Sequence, residues 1–107
     1  MEDLKISKKL ISEVLKIPLD VINEIYLDKT NLMVRKSNNR IEEHNIYELA
    51  FKCKKWARDK YDITISSSLY KNYAKSWNID KDKSYTAKTE VEVIIEACEW
   101  ILKETGN

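Results

Sequence analysis

Apolar residues recur along this chain at two spacings, and the change from one to the other marks its elements. Between Ser7 and Ile17, Leu10, Ile11, Val14, Leu15 and Ile17 fall on one face at the helical period. Ser7 starts this helix, and Pro18 ends it because proline disfavours helix in the residue before it. From Val21 to Asp28 the period becomes two. Val21, Ile25 and Leu27 share one parity, and Glu24, Tyr26 and Asp28 the other. Lys29-Thr30-Asn31 reads as a turn, and Leu32 and Val34 alternate with Met33 and Arg35, so a hairpin is predicted. The polar run from Ser37 to Asn45 reads as a loop with some extended character around Ile41.

Asn45 is a helix N-cap with Glu48 in the capping-box position. The helix continues to about Lys60, with Ile46, Leu49, Ala50, Cys53, Trp56 and Ala57 along one face. Ile63, Ile65, Ser67 and Leu69 then alternate with Thr64, Ser66 and Ser68. Tyr73, Trp77 and Ile79 share a parity, with Trp77 expected in the core. Asp80 to Lys83 reads as a turn, and Tyr85 and Ala87 continue a third strand. Thr89 and Glu92 cap the last helix, whose buried face is Val91, Ile94, Ala97, Cys98, Ile101 and Leu102, and Gly106 follows its end.

The predicted order is α-β-β-α-β-β-β-α: a single α+β domain over residues 1–107, with an antiparallel hairpin and a three-stranded meander packed against amphipathic helices. Strands and helices do not alternate as a doubly wound parallel sheet requires. No repeat of solenoid period is visible. The two main helices do share an alanine, cysteine and tryptophan grouping, Ala50, Cys53 and Trp56 against Ala97, Cys98 and Trp100. Small residues of this kind permit close packing.

Composition narrows the function. The 107 residues are 43% apolar and 35% charged, the balance of a folded chain with a heavily charged surface. Nineteen Lys and Arg against 18 Asp and Glu leave a net charge of +1, which lacks the basic excess of a protein that grips phosphates by charge alone. No apolar run approaches a membrane span, and no leader pattern is visible, so a cytoplasmic protein with reduced thiols and no membrane partner is expected.

Several chemistries are excluded. The only glycine is Gly106, so phosphate-cradling loops, which need backbone amides close to the ligand, are ruled out. His44 is the only histidine, and Cys53 and Cys98 lie in buried stripes without a ligand one turn away, so neither a metal site nor a reactive thiol is expected. His44 itself is expected in a solvated loop. Ser66-Ser67-Ser68 has no glycine elbow and no nearby base. Glu92, Glu96 and Glu99 share one face of the last helix, either as solvated surface or as a seat for a cationic partner. No catalytic residue and no cofactor is expected, and the protein is read as a non-enzyme.

What remains is binding. Lys52, Lys54, Lys55 and Arg58, with Lys60, make a basic face on the central helix, and Tyr70 leads an aromatic group with Tyr73, Trp77 and Tyr85. Lys52, Lys54, Lys55, Arg58 and Tyr70 form the candidate partner-binding surface. Lys9 to Ile25 loosely imitates a helix-turn-helix, with Lys16 where glycine is common in the turn, although its second segment carries Asp20, Glu24 and no arginine.

Three stretches, Lys5 to Leu15, Asn45 to Ala57 and Thr86 to Leu102, resemble a group of small uncharacterised proteins encoded by bacteriophages and prophages of Campylobacter-like bacteria. That group has no assigned activity or site residues to transfer. The resemblance implies a phage accessory role, such as binding and blocking a host-defence component in the manner of an anti-CRISPR inhibitor. The expected partner is therefore a protein or ribonucleoprotein. A nucleic acid bound by the basic helix face is the alternative, and open sheet edges leave room for a homodimer.

Overall fold

The computed structural model describes residues 4–78 and 83–105. The chain runs α1 (Lys8–Leu15), β1 (Ile22–Asp28), β2 (Asn31–Lys36), β3 (Ile41–Asn45), α2 (Ile46–Tyr61), β4 (Ile65–Leu69), β5 (Ala74–Asn78), β6 (Lys83–Ala87) and α3 (Glu90–Thr105), with a 3₁₀ turn at Leu19–Val21. The α+β class holds, and the order differs from the sequence reading by one strand, β3. Two antiparallel sheets of three strands result, ordered β1-β2-β3 and β4-β5-β6. Ile79, Gly106 and the expected turn at Asp80–Asp82 lie outside the described residues. Lys83, assigned to that turn, begins β6.

The helix ends follow local chemistry. Ser7 accepts the Leu10 amide at 3.1 Å. Asn45 accepts those of Tyr47 and Glu48 at 2.9 and 3.3 Å. Thr89 accepts the Glu92 amide at 3.2 Å and donates to the Glu92 carboxylate at 2.9 Å. α1 stops two residues earlier than the proline alone implies. Lys16 takes a left-handed conformation (φ 58°, ψ 43°), and the Ile17 amide returns to the Ser12 carbonyl at 3.2 Å. The segment after it forms a single 3₁₀ turn and then β1, so there is no second helix and the helix-turn-helix reading is wrong.

β3 was read as a loop because its residues are polar. Among the described residues it is an edge strand paired with β2, placing Glu42 opposite Val34 and His44 opposite Leu32. Ile41 is its one apolar residue, and side-chain pairs supplement the ladder: Lys36 bonds Glu42, and His44 Nε2 lies 3.0 Å from the same carboxylate. His44 is therefore half-buried in a strand, not solvated in a loop. Lys36 beside Glu42 holds that carboxyl below its ordinary value, against a smaller opposing effect of burial.

β5 also corrects an expectation. Its inward residues are Ala74, Ser76 and Asn78, so Trp77 lies on the other face, half-buried, with the Lys75 ammonium 5.2 Å from its ring centroid. The inward face is small because α3 lies against it; the Ser76 hydroxyl donates to the Val93 carbonyl at 2.9 Å.

α2 and α3 pack on each other at the centre of the core. The buried positions of α2 are Ile46, Leu49, Ala50, Cys53, Trp56 and Ala57. A shift of 45 residues, the separation of Cys53 and Cys98, carries them onto Val91, Ile94, Ile95, Cys98, Ile101 and Leu102, all buried in α3. The chain is thus built as α1 followed by two βββα units whose helices meet through equivalent faces. Substituting Leu49 by alanine should lower unfolding free energy by roughly 2–5 kcal/mol, and Asn45→Ala by about 1 kcal/mol, both read from urea denaturation.

Candidate functional site

Two surfaces stand out, one anticipated from the sequence and one not. The first is the outer face of α2. Because Ile46, Leu49, Ala50 and Cys53 turn inward, Tyr47 and Phe51 are carried outward, 57% and 70% exposed. Phe51 is the only phenylalanine in the chain. Lys52, Lys55 and Arg58 are exposed beside them, with Glu48 and Asp59 also exposed on the helix.

Of the sequence-predicted residues, Lys54 separates from this group. Its ammonium donates to the Ser67 hydroxyl on β4 at 2.8 Å, and Ser67 in turn donates to Glu90 at 2.7 Å. Lys54 is a tie between helix and sheet. Lys60 is similarly engaged, bonded to Glu13 of α1. Tyr70 is exposed beyond the end of β4, where its ring stacks on Tyr73 with centroids 4.9 Å apart. Leu69 next to it is 65% exposed. The structure therefore places Lys52, Lys55 and Arg58 together, puts Tyr70 on the β4–β5 hairpin, and takes Lys54 out of the accessible set. Tyr47 and Phe51 were missed, although their positions opposite the buried stripe of α2 were a legible signal.

The second surface is an open cleft of about 1420 Å³ between β1, α3 and the segment leading into α1. Ile25, Tyr26 and Leu27 of β1, with Leu32 of β2, form one wall, and Glu92, Glu96 and Glu99 of α3 form another. Tyr85 of β6 also lines it, with Lys5 and Lys29. The three carboxylates differ in their engagements. Glu99 accepts from both the amide and the hydroxyl of Ser7, at 2.6 and 2.8 Å, and so fixes the start of α1. Glu92 caps α3 through Thr89. Glu96 is exposed, and partial desolvation, reinforced by the Glu92 charge, holds its carboxyl above the ordinary value. Burial, with Glu96 and Glu104 nearby, likewise raises the Tyr85 hydroxyl.

Neither surface carries a reactive thiol. Cys53 and Cys98 are free and buried, and the Cys98 thiol lies 3.5 Å from the Cys53 carbonyl oxygen. Hydrogen bonding to the Cys53 side chain and burial push the Cys98 thiol well above the ordinary thiol range. Among the described residues, no group of three or more His, Cys, Asp and Glu side chains is arranged to hold a metal ion, and no helix is long and apolar enough to cross a membrane. The chain matches no protein-family model, no curated protein and no solved structure.

Two outcomes follow from this geometry. A disulfide-exchange reagent should leave both thiols unmodified in the native protein and label both after unfolding, as followed by absorbance. Glu96 binds its proton more tightly in the folded state, so its ionisation opposes folding as pH rises above about 4.5. Glu96→Gln should therefore be slightly more stable than wild type at pH 7, by no more than about 0.5 kcal/mol given solvent screening, and equal to it below pH ~4. Denaturant titrations at the two pH values measure this.

Proposed function

We propose that the protein is a non-enzymatic binding protein that covers a surface of a larger macromolecular partner, using the outer face of α2 and the β4–β5 hairpin. One observation carries this reading: five large apolar side chains stand exposed, Tyr47 and Phe51 on the same helix as the exposed cations Lys52, Lys55 and Arg58, and Leu69, Tyr70 and Tyr73 at the β4–β5 hairpin. Exposed aromatics with neighbouring arginine are the composition of interface anchors. Burying Phe51 in a pocket of the partner contributes roughly 1.5–3 kcal/mol, a large share of a useful affinity. The complementary surface is a protein or ribonucleoprotein face with an apolar pocket and an acidic rim. Occlusion needs no catalytic group. It fits the phage-type resemblance, in which the blocked partner is a component of host defence in the bacterial cytoplasm.

A second reading rests on the same helix. Phe51 flanked by Lys52, Lys55 and Arg58 has the parts of a single-strand nucleic-acid platform, a ring for base stacking and cations for phosphates. The two readings separate by salt: nucleic-acid binding falls steeply with ionic strength, whereas an apolar anchor in a protein pocket keeps most of its affinity.

The test is an affinity capture from bacterial lysate at moderate salt, comparing wild type with Phe51→Ser and with Phe51→Ser combined with Lys55→Glu. Wild type should retain a stoichiometric protein partner, and the single variant should weaken it at least tenfold. All three chains should unfold at similar urea concentrations, since both residues are exposed. A wild-type capture without a stoichiometric partner, or one undiminished in the double variant, overturns the reading.

A further inference from the structure

We propose that the outer face of the β4-β5-β6 sheet binds single-stranded nucleic acid, with bases stacked on Trp77 and phosphates held by Lys75 and Lys88. The first reason is the composition of that face. α3 lies against one side of the sheet, where Ala74, Ser76 and Asn78 are buried, so the alternate residues of each strand stand on the other side. The antiparallel register aligns them in rows. Trp77 lies between Ser66 and Ser84, and Lys75 between Ser68 and Thr86. At the hairpin end Tyr73 sits opposite Tyr70, and Lys88 follows Ala87, the partner of Ala74. None of these side chains is a carboxylate, and none is buried. Residues 63–78 and 83–89 together hold no aspartate or glutamate, in a chain with 18 of them. Asp80 and Asp82, with Lys81, belong to the connection between Asn78 and Lys83, outside the described residues. Lys71 and Lys88 are at the opposite end of the strands.

The second reason is Trp77 itself. Trp56 belongs to the core and Trp100 packs against it, whereas Trp77 is not among the side chains that do either. Its cross-strand neighbours, Ser66 and Ser84, are too small to cover an indole. The group over the ring is the Lys75 ammonium, 5.2 Å from its centroid. Lys75 thus occupies the place where a base would stack, and it carries the charge that a phosphate needs. A base that takes the ring releases the lysine to the backbone of the same strand. Stacking on an aromatic ring tolerates any base, so little sequence preference is expected. Tyr73 stands on the same face as Trp77, ~13 Å along the strand, with Lys75 midway. That spacing gives two rings for bases and a cation under the backbone between them. A neutral sugar chain would also stack on Trp77, but it gains nothing from lysines on a face without acid, so the charge selects a polyanion. The proposal uses no residue of α2. It shares Tyr70 and Tyr73 with the partner surface above, while Trp77, Lys75 and Lys88 belong to this face alone.

The probes are octathymidylate and octauridylate, with a short blunt DNA duplex and maltohexaose for comparison. Tryptophan emission and, with a fluorescein label, anisotropy report binding. The single strands should bind at low salt and quench the emission, and binding of only one of them supports the face and identifies the sugar it accepts. Affinity should fall with salt at a logarithmic slope of about −1.4, ~0.7 for each phosphate held by Lys75 and Lys88. Lys75→Ala should halve that slope. Trp77→Ala should weaken binding roughly tenfold and leave the slope unchanged. Trp77→Phe keeps a ring for stacking, so it should retain most of the affinity and lose the quenching, a change that a merely structural role would not produce. Phe51→Ser should alter neither quantity, which separates this face from α2. Absence of single-strand binding at millimolar protein overturns the proposal. So does equal or tighter binding of the duplex or of maltohexaose, a slope indifferent to Lys75→Ala, quenching that survives in Trp77→Phe, or loss of binding in Phe51→Ser.

Discussion

The close contact between α2 and α3 is the constraint on which the rest of the molecule depends. Each helix is continuous with its own sheet: Asn45 is both the last residue of β3 and the cap of α2, and β6 passes through Thr89 into α3. Fixing one helix against the other therefore fixes the two sheets. The contact is close because its central residues are small. Ala50, Cys53, Ala57, Ala97 and Cys98 are almost wholly buried, and a Cys98 thiol can rest on the Cys53 carbonyl only where the backbone of α2 is near. In this position sulfur serves as a compact apolar group and a weak donor. A leucine at either cysteine would push the helices apart and open the core behind Ile95 and Ile101.

That arrangement explains which features were legible in the sequence. Caps and helical stripes are local, so α2 and α3 are found with their buried faces nearly complete. The β1–β2 hairpin is also local, with two residues, Lys29 and Thr30, between its closing pair Asp28 and Asn31. β3 was hidden because four of its five residues are polar, so no alternation marks a strand that forms a full antiparallel ladder with β2. Trp77 shares the odd parity of Tyr73, whereas the inward parity of β5 is the even one. The helix covering β5 demands small residues, and Ala74 and Ser76 satisfy it where tryptophan does not.

The candidate surfaces divide the same way. Lys52, Lys55 and Arg58 were legible as an exposed group, but the loss of Lys54 to Ser67 depends on a strand thirteen residues away. The cleft was illegible because no local pattern encodes it. It forms where an N-terminal segment, an edge strand and a helix 92 residues beyond Ser7 come together, and the glutamate row on α3 acquires meaning only from what stands opposite.

A net charge of +1 conceals this segregation. The basic residues of α2 are mixed with exposed aromatics, whereas the carboxylates of α3 face an apolar strand, so the two surfaces draw on different physics. A partner on the proposed α2 face would gain affinity chiefly from apolar burial, with charge setting its orientation. Glu92 and Glu96 share one face a helical turn apart, and the Glu96 carboxyl is raised first by its partial burial and then by the Glu92 charge. Partial burial and like charge at Glu96 are thus a small cost to the folded state, whereas the Phe51 ring, 70% exposed, stays in water folded or unfolded.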